Sequence, residues 1–117
     1  MDIETLRLYC IAKPGTTEGF PFDNDTLVFK VMGKMFALIS IEQPNTVNLK
    51  CDPEYAMELR EQYPEDILPG YHMNKKHWNT VLLDTGLSES FLKELIDHSY
   101  EKVVAGLSRK VRQQLEQ

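Results

Sequence analysis

Apolar residues recur along this chain at two different periods. Ile3, Leu6, Cys10 and Ile11 are spaced to share one face of a helix running from Ile3 to Ala12. Asp2 stands where a helix cap belongs, and Pro14-Gly15 ends the run. Further on the period shortens to two. Leu27 to Val31 and Met35 to Ile41 read as strands joined by Met32-Gly33-Lys34, a tight hairpin in which Gly33 takes the unusual backbone angle. Thr46 to Cys51 alternates as well, with Val47, Leu49 and Cys51 on one side and Asn48 and Lys50 on the other. Phe20 and Phe22 alternate about Pro21, which predicts a short edge strand where a missing N–H is tolerated.

Helical spacing then returns. Asp52-Pro53-Glu54 is a strong helix start, since Asp caps free N–H groups, Pro suits the first position and Glu favours the positive end of the dipole. This second helix runs to about Tyr63, with Tyr55, Ala56, Leu59 and Tyr63 inward and its glutamates in water. Asn79 to Leu83 forms the last strand. Ser88 caps a third helix whose inward positions are Leu92, Leu95, Ile96, Ser99, Val103 and Leu107. The order predicts an α+β two-layer sandwich: a mainly antiparallel sheet of about five strands with three helices on one face, in the order α-β-β-β-β-α-β-α. The other face is left to solvent. Alternation places Val28, Lys30, Asn48, Lys50, Thr80 and Leu82 on it, a mixed polar and basic surface.

With 42% hydrophobic residues in 117, the chain supports one core and one domain, residues 1–107, followed by a helical extension or mobile tail over 108–117. Its apolar runs are far shorter than the roughly 20 residues a membrane-spanning helix needs. Met-Asp-Ile-Glu lacks the basic and apolar pattern of a secretory leader, so a cytoplasmic monomer without membrane contact is expected. Cys10 and Cys51 are expected as reduced, packed thiols. A net charge of −5 argues against indiscriminate coating of nucleic acid. Yet the charge is unevenly spread. Glu54, Glu58, Glu61, Glu65 and Asp66 gather in one region, while Lys30, Lys34, Lys50, Lys75 and Lys76 lie in segments poor in acids.

Gly70 to Val81, GYHMNKKHWNTV, holds two histidines, two lysines and the one tryptophan. His72 and His77 fall about 140° apart around a helix and on opposite faces of a strand, so neither structure brings both to one metal ion. Neither cysteine has an activating motif, no serine sits in an elbow, and no glycine-rich turn leads into a helix. No metal, cofactor or enzyme activity is therefore expected. Binding is better supplied. Lys75 and Lys76 can meet phosphates, Tyr71, His77 and Trp78 can stack or wedge, and Asn74 and Asn79 offer donors and acceptors. A plainer alternative has Tyr71 and Trp78 closing one end of the core, Asn74 tying the loop to its own backbone, and the lysines merely solvated.

Ala12-Lys13-Pro14-Gly15-Thr16-Thr17-Glu18, Phe29-Lys30-Val31 with Gly33-Lys34-Met35-Phe36-Ala37, Leu49-Lys50-Cys51-Asp52-Pro53 and Tyr71 to Asn79 together resemble the MmcQ/YjbR family, up to about Leu107. The resemblance implies a CyaY-like α+β fold, shared in outline with frataxins, and DNA binding through a double-wing motif. It implies functional roles for Lys30, Lys34, Lys50, Asn74, Lys75, Lys76, His77 and Trp78, to which the open face adds Asn48. The frataxin side would imply iron binding by acids on the first helix and edge strand. That helix offers only Asp2 and Glu4, with Arg7 after them, so no iron role is expected. The expected function is a small non-enzymatic domain that contacts DNA weakly or selectively through its open sheet face and the Gly70–Val81 loop. In that reading Lys30, Lys50, Lys75 and Lys76 meet phosphates, and Trp78 with His77 packs against sugar or base. A protein–protein interaction module is the alternative, and a general base at His72 or His77 a third.

Overall fold

The computed structural model describes residues 1–70 and 73–116. Tyr71, His72 and Gln117 lie outside the described residues, and with them the stacking role expected of Tyr71 and the general-base role expected of His72. Asp2 accepts the Thr5 N–H at 2.8 Å and starts α1 (Ile3–Ile11). Four strands follow: β1 (Thr16–Gly19), β2 (Thr26–Val31), β3 (Lys34–Ser40) and β4 (Thr46–Lys50). Asp52 caps α2 (Pro53–Gln62) by accepting the Glu54 and Tyr55 N–H groups, as the Asp-Pro-Glu pattern predicts. Then come β5 (Ile67–Pro69), β6 (Trp78–Leu82), α3 (Glu89–Ala105) under its Ser88 cap, and α4 (Arg109–Leu115) under Ser108.

The strands form one antiparallel sheet in the order β1-β2-β3-β4-β6-β5. The class is the α+β sandwich that the pattern predicts, but with six strands and four helices instead of five and three. The added strand is β5, whose three residues pair with β6. The edge strand near the start is Thr16–Gly19; Phe20, Pro21 and Phe22 follow it, exposed and outside any strand. Residues 109–115 form a separate capped helix. In the β2–β3 turn both Met32 (φ 49°) and Gly33 (φ 84°) are left-handed, the geometry that suits the twist of a two-residue hairpin.

One face of the sheet is covered. α3 lies across β3 and β4, and its predicted inward residues Leu92, Leu95, Ile96, Ser99 and Val103 are all buried. They meet Leu27, Phe29, Val31, Phe36, Ile39, Val47, Leu49 and Val81 from the strands. The packing includes an irregularity. Phe29 pairs with Ala37 but Lys30 pairs with Met35, so Phe36 is an extra residue and both Phe36 and Ala37 face the core. Beside this bulge the Lys50 N–H and the Phe36 carbonyl both bond the buried Ser99 hydroxyl, which accepts from the first at 2.9 Å and donates to the second. A side chain of α3 thus closes a gap in the ladder. Cys10 and Cys51 are buried free thiols, pushed up by desolvation to about 12 and about 11. Among the described residues no helix is long and apolar enough to cross a membrane.

Candidate nucleic-acid interface

Strand alternation sends every second side chain to the uncovered face. Its centre is more apolar than the alternation suggests. Val28, Leu38 and Trp78 form a second buried cluster there, with Met35 and Met73 packed against it. The cluster is shielded by its own neighbours, Met35 from β3 and Met73 ahead of β6. Gly70, just past the end of β5, is closely held against Trp78. The Gly70 N–H donates to the Trp78 carbonyl at 2.9 Å, and a Cβ on Gly70 would lie 2.9 Å from the Trp78 Cβ, so only glycine fits without displacement.

Three strands bring lysines to one end of the sheet, Lys30 and Lys50 on this face and Lys34, the register partner of the core residue Val31, at its rim on the helix side. Lys34 opens β3, opposite Val31 at the end of β2, and Lys30 lies across from Met35. Lys50 closes β4 directly opposite Trp78, the first residue of β6. Lys34 and Lys50 share a depression of about 350 Å³ with Met35, Trp78, Val103 and Gly106, and Lys30 borders a neighbouring one beside Val28 and Phe20. Lys30, Lys34 and Lys50 form no ion pair among the described residues. The turn before β6 stands at the same end. Asn74 builds that turn: its carbonyl accepts the His77 and Trp78 N–H groups, and its Oδ1 accepts the Lys76 N–H at 2.9 Å. Lys75 and Lys76 are exposed, while His77 is half-buried with its carbonyl bonded to the Cys51 N–H at 2.7 Å.

Two placements differ from what the residue types suggest. Trp78 is 8% exposed, so most of its ring is committed to Val28 and Leu38. Asn79 turns to the covered side, where its Oδ1 accepts from Arg60 Nε at 2.8 Å. Arg60 also donates through Nη2 to the Lys75 carbonyl at 2.6 Å. A helix side chain therefore fixes the basic turn against β6, a role that sequence spacing alone does not reveal. Sequence reading also passes over Arg109, Lys110 and Arg112. They are exposed on α4, whose Leu115 reaches Gly15 beside Met32 of the hairpin and so lies at the same end of the molecule.

Toward the other end of the face the lysines give way to neutral polar groups. Thr26, Ser40, Thr46, Asn48 and Thr80 surround a concavity of about 710 Å³ floored by Met35, Leu38 and Met73, with Phe22, Asp23 and Gln43 at its margin. Asn48 and Thr80 are register partners, and the Thr80 hydroxyl donates to Asn48 Oδ1 at 2.7 Å. Asp23 is held below the usual carboxylate range by the Thr26 and Asp25 backbone N–H groups. Met35 lines both this concavity and the lysine depression, so the two are contiguous. Among the described residues no group of three or more His, Cys, Asp and Glu could hold a metal ion.

A six-stranded antiparallel sheet, helices on one side and a bare, partly apolar face on the other, defines a two-layer α+β domain of the kind shared with known proteins. Residues 11–102 match the family model YjbR, and the chain belongs to the YjbR family. The Escherichia coli K12 protein named Uncharacterized protein YjbR is 39% identical over 118 residues, covering 100% of this chain and 99% of its own. YyaQ of Bacillus subtilis strain 168 is 36% identical over 74 residues, 63% of this chain and 61% of its own. The crystal structure of Deinococcus radiodurans protein DR2400 superposes with a TM-score of 0.91 at 45% identity, covering 98% of this chain and 88% of that one. A Pseudomonas syringae protein gives 0.72 at 31%, covering 87% and 98%. These names indicate no enzymatic activity.

Proposed function

We propose that this protein binds nucleic acid through the uncovered sheet face and the adjoining end of the sheet, with phosphates meeting Lys30 and Lys50 on the face and Lys34 at its rim, and the Lys75-Lys76 turn adding charge at the same end. The observation that carries the reading is the arrival of three lysines, outside any ion pair among the described residues, from three adjacent strands of a molecule whose formal charge is −5. Local positive potential, and not net charge, sets where a phosphate docks. Asn48 joins from the same face as a hydrogen-bonding group. Asn74, His77 and Trp78 act as the frame, by holding the turn, the end of β4 and the apolar centre in place.

Fluorescence anisotropy with labelled single and double strands across a salt series tests this. Four phosphate contacts on a single strand would cost roughly 50-fold in affinity between 50 and 200 mM salt. A variant with Lys30, Lys34 and Lys50 all changed to Gln should bind more weakly and with a shallower slope. Absence of binding even at low salt sinks the proposal. A second reading, a protein-docking module, is favoured by exposed Phe20 and Phe22 beside the same face. It predicts that Phe20→Ser with Phe22→Ser abolishes partner retention that nuclease treatment leaves intact.

A further inference from the structure

Nothing about phosphate binding accounts for the large concavity beside the lysines. Its floor is methionine and leucine, and its single charged lining group, Asp23, is a carboxylate that repels phosphate. A duplex presents charged backbone to such a surface and keeps its bases stacked inside. The one apolar, planar part of a nucleic acid that fits there is a base taken out of the stack. Size agrees: about 710 Å³ lies within the roughly 300–1,000 Å³ of small-molecule sites. So does the polar chemistry. Because Thr80 occupies Asn48 Oδ1, the Asn48 amide NH₂ is the group left to donate, and a base edge supplies carbonyl and ring-nitrogen acceptors. The lysine depression begins on the other side of Met35, one side chain away, where the neighbouring phosphate would sit.

We infer, resting on the nucleic-acid reading above, that this concavity receives an unstacked base of a single strand, with Asn48 donating to its edge, and that the protein therefore selects single strands over duplex. Lysines supply affinity common to any strand; the concavity supplies the preference. The test compares oligothymidine, a duplex of equal length and an abasic strand of equal length, which keeps the phosphates and lacks the bases. Oligothymidine should bind about tenfold more tightly than either of the others. Met73→Ala should erase most of that difference while leaving duplex affinity unchanged, and Asn48→Ala should weaken oligothymidine binding more than duplex binding and so narrow the same difference, with thermal unfolding confirming that each variant folds.

Equal affinity for all three nucleic acids overturns the inference and leaves the phosphate reading standing. A single-strand preference that both variants retain also overturns it, because the base then binds elsewhere. No binding of any of the three removes both readings together.

Discussion

Ser99 shows how a single hydroxyl sets the position of a candidate contact. At the β3 bulge the Phe36 carbonyl and Lys50 N–H both bond the Ser99 side chain, which is fully buried. Ser99→Ala leaves both groups without a partner in a dry environment, and the expected cost is about 1–3 kcal/mol, read by chemical denaturation. The backbone of Lys50 loosens with it, so affinity for nucleic acid should fall even though the lysine remains. His98 offers a second test. Its Nε2 accepts the Asp52 N–H at 3.1 Å, which requires the neutral ring, and burial first, then Lys102, lower its pKa. The unfolded chain therefore binds that proton more readily. Stability is complete above the unfolded value near 6.5 and declines as pH falls below it. The thermal midpoint should drop between pH 7 and pH 5, and His98→Gln should flatten that drop; an unchanged slope would assign the effect elsewhere. Such roles are hard to read from sequence. Ser99 is recognisable as an inward position, but its partners lie 49 and 63 residues away. Arg60 and Asn79 are a similar case, polar residues whose pairing exists only once α2 is laid beside β6.

β5 illustrates where local pattern fails at the level of an element. Three residues ending in Pro69 carry too little alternation to announce a strand, and the pairing is imposed by β6. The error at β1 has the opposite cause: Phe20 and Phe22 look like strand residues because they are apolar, yet they end exposed, while Thr16–Gly19, with no apolar side chain, makes the pairing. Where one strand face is buried against the helices, as in β2 and β4, the period of two holds and the sequence reads correctly, while in β3 the extra residue at Phe36-Ala37 breaks it. The uncovered face is predictable only in part. Alternation places Val28, Lys30, Asn48, Lys50 and Thr80 on it, but the burial of Val28, Leu38 and Trp78 there depends on strands brought together from distant parts of the chain. α4 gives the test for elements. It has no fully buried residue and is held by half-buried Val111 and Leu115, so truncation after Leu107 should leave a folded domain less stable by about 1 kcal/mol. Loss of folding on truncation would mean that Leu115 closes the core between Gly15 and Met32.

Charge over the whole molecule makes a last prediction, because attraction and repulsion here act over different ranges. The lysine end attracts phosphate at contact distance, whereas Glu54, Glu58 and Glu61 are exposed on α2 and contribute a repelling field. The molecule measures 40 × 31 × 26 Å. At about 0.01 M salt the screening length is roughly 30 Å, comparable with the molecule, so those acids are felt at the binding face; at 0.15 M it is about 8 Å and they are not. The salt dependence of nucleic-acid binding should therefore be steep at moderate salt and flatten toward low salt, unlike the straight line given by a uniformly basic protein. Changing Glu54, Glu58 and Glu61 to Gln takes the formal charge from −5 to −2 without touching the sheet face. Affinity should then rise several-fold at 0.01 M and hardly at all at 0.15 M, measured by anisotropy with one labelled strand. An equal gain at both salts would place the acids in direct contact with the ligand, and so move the binding surface from the sheet to α2.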